Sequence, residues 1–75
     1  MKLIETNKAE GTKVTGSYEG MFPFTGTVSA FRFGPRGVKI YGITLDSAIE
    51  VFGQIRNEIE IWSSELAAQN VMVCE

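Results

Sequence analysis

The sequence predicts an all-β domain, a small, partly open barrel of five to seven strands with one short C-terminal helix. Three observations carry that expectation. Apolar and polar residues alternate with the two-residue period of a strand over most of positions 12–62. Turn signals punctuate the alternation at Glu19-Gly20, at FGPRG (33–37), at Asp46-Ser47 and over Gly53 to Asn57. Two of the runs also move their apolar set from one face to the other partway along. A one-residue shift of that kind is the mark of a bulge or a glycine bend.

The first strand is Thr12 to Tyr18, with Val14, Gly16 and Tyr18 on one face. Pro23 has no N–H to give a ladder and stands just before the second strand, Phe24 to Phe33. There the apolar set passes from Phe24 and Val28 to Phe31 and Phe33. In the third strand, Val38 to Leu45, it passes from Val38 and Ile40 to Tyr41, Ile43 and Leu45, with Gly42 between. Long strands bent so that each half serves a different sheet are what a small SH3-like barrel requires. Gly26, and with it Gly16, is read as a place where a missing Cβ lets strands cross closely. The glycine-rich run GSYEGMFPFTGTV (16–28) feeds a β-type segment rather than a helix N-terminus, so it is a corner and not a phosphate cradle. Ile49 to Phe52 is a short fourth strand, and Ile59 to Trp62 a fifth. After Trp62, Ser63 or Ser64 caps a short helix through Leu66-Ala67-Ala68-Gln69, which Asn70 ends. VMVC (71–74) is a terminal strand, with KLIE (2–5) its expected partner.

At 75 residues the chain is read as one domain, 1–75. A domain of this size hides only about 60% of its unfolded surface, and small folds of this kind lean on a disulfide, a metal or a partner chain. One cysteine, Cys74, excludes an internal disulfide, and without histidine no zinc site and no cofactor are expected. Self-association remains. The composition suits it, with 44% hydrophobic residues and eight aromatics. Phe31, Phe33, Ile43, Phe52 and Trp62 are the candidate interface residues. No apolar run suggests a signal peptide or a membrane span, and the expected location is the cytoplasm.

Net charge is −2, yet its halves differ. Residues 1–45 carry six basic and three acidic side chains; residues 46–75 carry one basic and six acidic. Such asymmetry suits a nucleic-acid face, or copies that meet with unlike charges together. SAFRFGPRGVKIYG (29–42) is the nucleic-acid candidate, with Arg32, Arg36 and Lys39 toward phosphates and Tyr41 or a phenylalanine offering a stacking surface. The same residues would serve an acidic protein partner. The competing expectation is that these aromatics are core, and the acidic isoelectric point of about 5.1 favours it. No nucleophile–base pair is visible, and Asp46, Glu50, Glu58 and Glu60 read as solvated carboxylates, so no catalytic residue is assigned. In NEIEIW (57–62), Ile59 and Ile61 face one way, while Trp62 shares the other face with Glu58 and Glu60.

The order GTKV, FTGTV, GVKIYGITL and IEIW, followed by ELAA, resembles the plasmid-type (type II) dihydrofolate reductases over residues 11–68. Those are short SH3-like chains that form tetramers around a central pore. The resemblance implies an oligomeric reductase whose Val-Gln-Ile-Tyr pore segment falls here on Ile59, Glu60, Ile61 and Trp62, glutamate standing for the amide and tryptophan for the phenol. The family's cation after the first strand would fall near Thr15 or Gly16, where this chain has none. GSYEG with FTGTV, then LDSAIEVFGQIR, is similar to short bacteriophage proteins and implies an accessory role, such as binding and blocking a host factor. The leading expectation is a self-associating SH3-like binding module with a macromolecular, chiefly protein, partner; the reductase and the nucleic-acid binder are the alternatives.

Overall fold

The structure, a computed structural model, describes residues 10–74. It contains five antiparallel strands: β1 (Lys13–Tyr18), β2 (Phe22–Phe33), β3 (Lys39–Val51), β4 (Gln54–Trp62) and β5 (Met72–Val73). They form one sheet in the order β4-β3-β2-β1-β5. The all-β expectation holds, with five strands. The proposed partnership of KLIE with the last strand lies outside the described residues. β5 pairs with β1, Val14 opposite Val73 and Thr15 opposite Met72.

β2 begins two residues earlier than the sequence suggests and takes Pro23 into the strand, opposite Ser17. The missing N–H costs no ladder bond. Ser17 turns its own N–H away, to the carbonyl of Gln69 at 2.8 Å, and β3 does not join β2 until Gly26. β1 and β2 are joined through Glu19-Gly20, both at positive φ, where the Met21 N–H reaches the Tyr18 carbonyl at 3.0 Å.

The face switch in β2 is present; the one expected in β3 at Gly42 is not. The β3 register runs unbroken from Ile40 to Thr44 opposite β4, and Tyr41, Ile43 and Leu45 share one face. The β2–β3 register slips between Val28 and Ala30, leaving Ser29 as the extra residue. Phe24 and Val28 are buried before the slip, and Phe31 packs against the same core after it. In β3 the consecutive residues Ile40 and Tyr41 are both buried, on opposite faces: Tyr41 in the core, and Ile40 outside it, against Gly34 at the end of the β2–β3 hairpin. Gly26 sits where β2 meets β3: a Cβ there would fall 2.5 Å from the Thr44 carbonyl oxygen and 2.8 Å from Ile43 Cγ2. Only glycine fits that approach.

Three further elements differ from expectation. Val38–Leu45 and Ile49–Phe52 are not separate strands; they are one strand, β3, carrying a wide bulge between Thr44 and Ile49 opposite β4. Asp46-Ser47 reads as a turn but lies inside that bulge. The expected turn over Gly53–Asn57 shrinks to Phe52-Gly53, so β4 starts at Gln54. Both turn residues have positive φ, 49° and 82°, as a two-residue type I′ hairpin demands. The expected helix over 63–70 is a 3₁₀ turn, Ser63–Glu65, and a further turn. Ser63 makes no capping bond; its Oγ accepts the Lys39 N–H at 3.1 Å. Eight residues are too few to repay helix nucleation. The end signal does operate: Asn70 has φ 52°, with the Val71 N–H on the Leu66 carbonyl (2.9 Å) and the Asn70 N–H on the Ala67 carbonyl (3.1 Å). That pair of bonds is a Schellman ending.

The core joins Val14, Phe24, Val28, Tyr41, Ile43, Leu45, Ile59, Ile61, Leu66 and Val71. Every strand except β5 contributes fully buried side chains, and the segment after β4 closes one end with Leu66 and Val71.

Candidate interaction surface

Strand register decides which of the sequence-predicted residues share a face, because directly opposed residues point the same way. In the β2–β3 hairpin Arg32 is opposite Ile40, and Phe33 is opposite Lys39. Arg32 and Lys39 therefore project from opposite faces. Arg36 stands in the turn between them, at φ 58°. Arg32 lies 3.3 Å from Glu60 Oε1 on the outer face of the sheet. Lys39 lies with its Nζ 5.9 Å from the centre of the Phe31 ring. The three cations do not form one stripe. Tyr41, expected to stack on a ligand, is buried in the core, and burial pushes its phenol above the ordinary tyrosine range.

The charge asymmetry along the chain is used within the sheet. Lys13 of β1 pairs with Asp46 in the β3 bulge, and Arg32 of β2 pairs with Glu60 of β4. Basic early strands meet acidic later ones in a single copy. Both pairs are solvent-exposed and contribute little to stability.

Of the expected interface residues, Ile43 belongs to the chain's own core, with no exposed surface. It alternates inward with Tyr41 and Leu45. Phe31 is half-buried and meets Phe33 edge to face at 6.0 Å. Phe33 remains 66% exposed, Phe52 72% and Trp62 42%. Ile59 and Ile61, two of the four residues aligned with a reductase pore, are core; Glu60 and Trp62 point to the opposite face. The four do not line one surface.

Two aromatic groups thus stand at opposite ends of β2. Phe31 and Phe33 with Lys39 occupy one end. Phe22 and Phe52 occupy the other, their rings edge to face at 5.2 Å. Phe52 stands at the tip of the β3–β4 hairpin in left-handed backbone, a conformation that costs a bulky L-residue roughly 1–2 kcal/mol. Turn chemistry would prefer asparagine there. Strain at an exposed aromatic is a pointer to use. Sequence reasoning missed two further exposed apolar residues, Met21 and Ile55. Ile55 falls within the turn expected over Gly53–Asn57; because Phe52-Gly53 is a two-residue turn, it is a strand residue.

An open cleft of about 290 Å³ is lined by Thr15, Pro23, Phe24, Thr25, Asp46, Ser47 and Ile49. Two of its polar side chains are committed locally: Thr15 Oγ1 donates to the Phe24 carbonyl at 2.9 Å, and Asp46 is held by Lys13. No acid–base pair faces into it. Among the described residues no cluster of His, Cys, Asp and Glu could hold a metal ion, and no helix is long and apolar enough to cross a membrane. No family model, no curated protein and no solved structure matches this chain.

Proposed function

We propose that the chain is a small SH3-like barrel that associates with itself and docks a macromolecular partner, a protein first of all. The strand order supports the barrel: consecutive hairpins β1 to β4, then a 3₁₀ turn, then a last strand returning to β1. The bulges in the long strands supply the bends such a barrel needs. One observation carries the binding reading. Phe52, 72% exposed, is held at positive φ on a hairpin tip beside Phe22, where it adds strain and little core. Aromatic anchors on a rigid hairpin are what a partner's pocket takes. The likeness to short bacteriophage proteins favours a mobile-element accessory that blocks a host protein in the cytoplasm.

The test compares the wild-type chain with Phe52→Asn and Phe33→Ser as baits in the native host. All three should give the same far-ultraviolet spectrum. One stoichiometric protein partner should be retained by the wild type and lost by at least one variant. Equal retention by all three, or no partner at all, removes the reading.

A further inference from the structure

We infer that the free edge of β4 takes an extended, basic segment of a partner protein as an additional antiparallel strand. This inference rests on the partner-docking reading above and names a surface and a chemistry for that partner.

β4 ends the sheet, and among the described residues no strand pairs with its outer edge. Hydrogen bonds elsewhere fix which of its residues face that edge. Val28 spends both backbone groups on the chain before β1: its N–H donates to the Thr12 carbonyl at 2.9 Å, and its carbonyl accepts the Gly11 N–H at 2.7 Å. Val28 therefore turns away from β3, and Ile43 opposite it turns its own groups to β4. Ile43 with Ile59, and Tyr41 with Ile61, are then the hydrogen-bonded pairs. Glu58, Glu60 and Trp62 direct their N–H and C=O groups outward. A row of unpaired backbone groups at alternate residues is what strand addition uses.

The side chains decide what kind of strand fits. Glu58, Glu60 and Trp62 stand on the outer face of the sheet, while Ile59 and Ile61 between them are buried in the core. Glu60 pairs with Arg32 at 3.3 Å, yet both side chains remain more than half exposed. Glu58 is exposed and forms no ion pair among the described residues. Trp62 is 42% exposed. An incoming strand therefore meets two carboxylates and an indole at every second residue. Lysine or arginine at those positions pairs with the carboxylates and lies against the indole ring. The residues between them fall beside Ile59 and Ile61 and are apolar. Two other occupants are disfavoured. A second copy that paired all three edge residues would set Glu60 against Glu60. A nucleic acid would bring phosphates to the same carboxylates.

The probe is a short capped peptide of alternating lysine and valine, with Trp62, the chain's one tryptophan, as reporter. It should shift the Trp62 emission saturably, and a glutamate–valine peptide should not. Two N-methylated forms separate strand addition from charge alone. Methyl groups on the lysine amides, which face β4, should abolish binding; methyl groups on the valine amides should leave it. Glu58→Lys, with an unchanged far-ultraviolet spectrum, should weaken binding about tenfold. Followed by NMR, the peptide should protect the amides of Glu58, Glu60 and Trp62 from exchange and leave Ile59 and Ile61 as they are. No binding at millimolar peptide overturns the inference, and so does equal binding of the two methylated forms. Edge amides already protected without peptide assign the edge to this chain itself and overturn it as well. Any of these results, obtained while Phe52→Asn or Phe33→Ser still loses the partner, removes the β4 edge alone and leaves the docking reading standing.

Discussion

The side-chain carbonyl oxygen of Gln69 accepts the backbone N–H of Glu19 at 3.1 Å, and the Gln69 backbone carbonyl accepts the N–H of Ser17 at 2.8 Å. One buried glutamine thus ties the turn after β4 to the end of β1 and to the first hairpin. A buried polar side chain is expensive unless paired, and here the pairing fixes how the C-terminal segment caps the core. Gln69→Leu keeps the bulk and removes the acceptor from Glu19. We expect a loss on the order of 1 kcal/mol. For a chain of this length that lowers the melting temperature by about 4–8 °C. An unaltered melting curve would show that water serves Glu19 equally well.

Gly26→Val should be among the most damaging single substitutions. The added Cβ meets the Thr44 carbonyl oxygen, which is backbone in the adjoining strand and cannot swing aside. Overpacking of this sort costs about 1–3 kcal/mol or more. Denaturant unfolding measures it, and a stability equal to wild type would mean that the crossing of β2 and β3 is looser than described.

Phe52→Asn separates folding from binding. Asparagine relieves a left-handed conformation worth about 1–2 kcal/mol. It forfeits an edge-to-face contact with Phe22 worth about 0.5–1.5 kcal/mol. The two nearly cancel, so thermal stability should be unchanged or slightly higher. A loss greater than about 2 kcal/mol would assign Phe52 to the fold and not to a partner.

Tyr41 should make the protein sensitive to alkali. Burial raises its pKa in the folded state above the unfolded value. The stability linked to this group is therefore complete below the unfolded pKa of about 10 and is lost as pH rises through the folded one. Wild type should lose stability over that window more steeply than Tyr41→Phe. Parallel curves for the two proteins would show that the phenol reaches solvent.

Most strands, the Glu19-Gly20 and Arg36-Gly37 turns, the Asn70 ending and the role of Gly26 are legible in the sequence. Each is a local matter: a two-residue period, a residue tolerant of positive φ, or a side chain too large for its place. The sequence also shows that β2 changes face, because its apolar set visibly moves from even to odd positions; the same change expected of β3 is absent, since Ile40 and Tyr41 lie on opposite faces of a regular stretch. The sequence does not say which face becomes interior. That depends on the Ser29 bulge opposite Gly42 and on the wide bulge of β3 opposite Asn57, both defined by a partner strand. Tertiary structure therefore decided that Tyr41 and Ile43 are core while Phe33 and Phe52 stay outside. It also decided that Arg32 and Lys39 leave opposite faces, and that β4 is an uncovered edge among the described residues. Alternation assigns residues to faces; only pairing between distant strands determines where each face points.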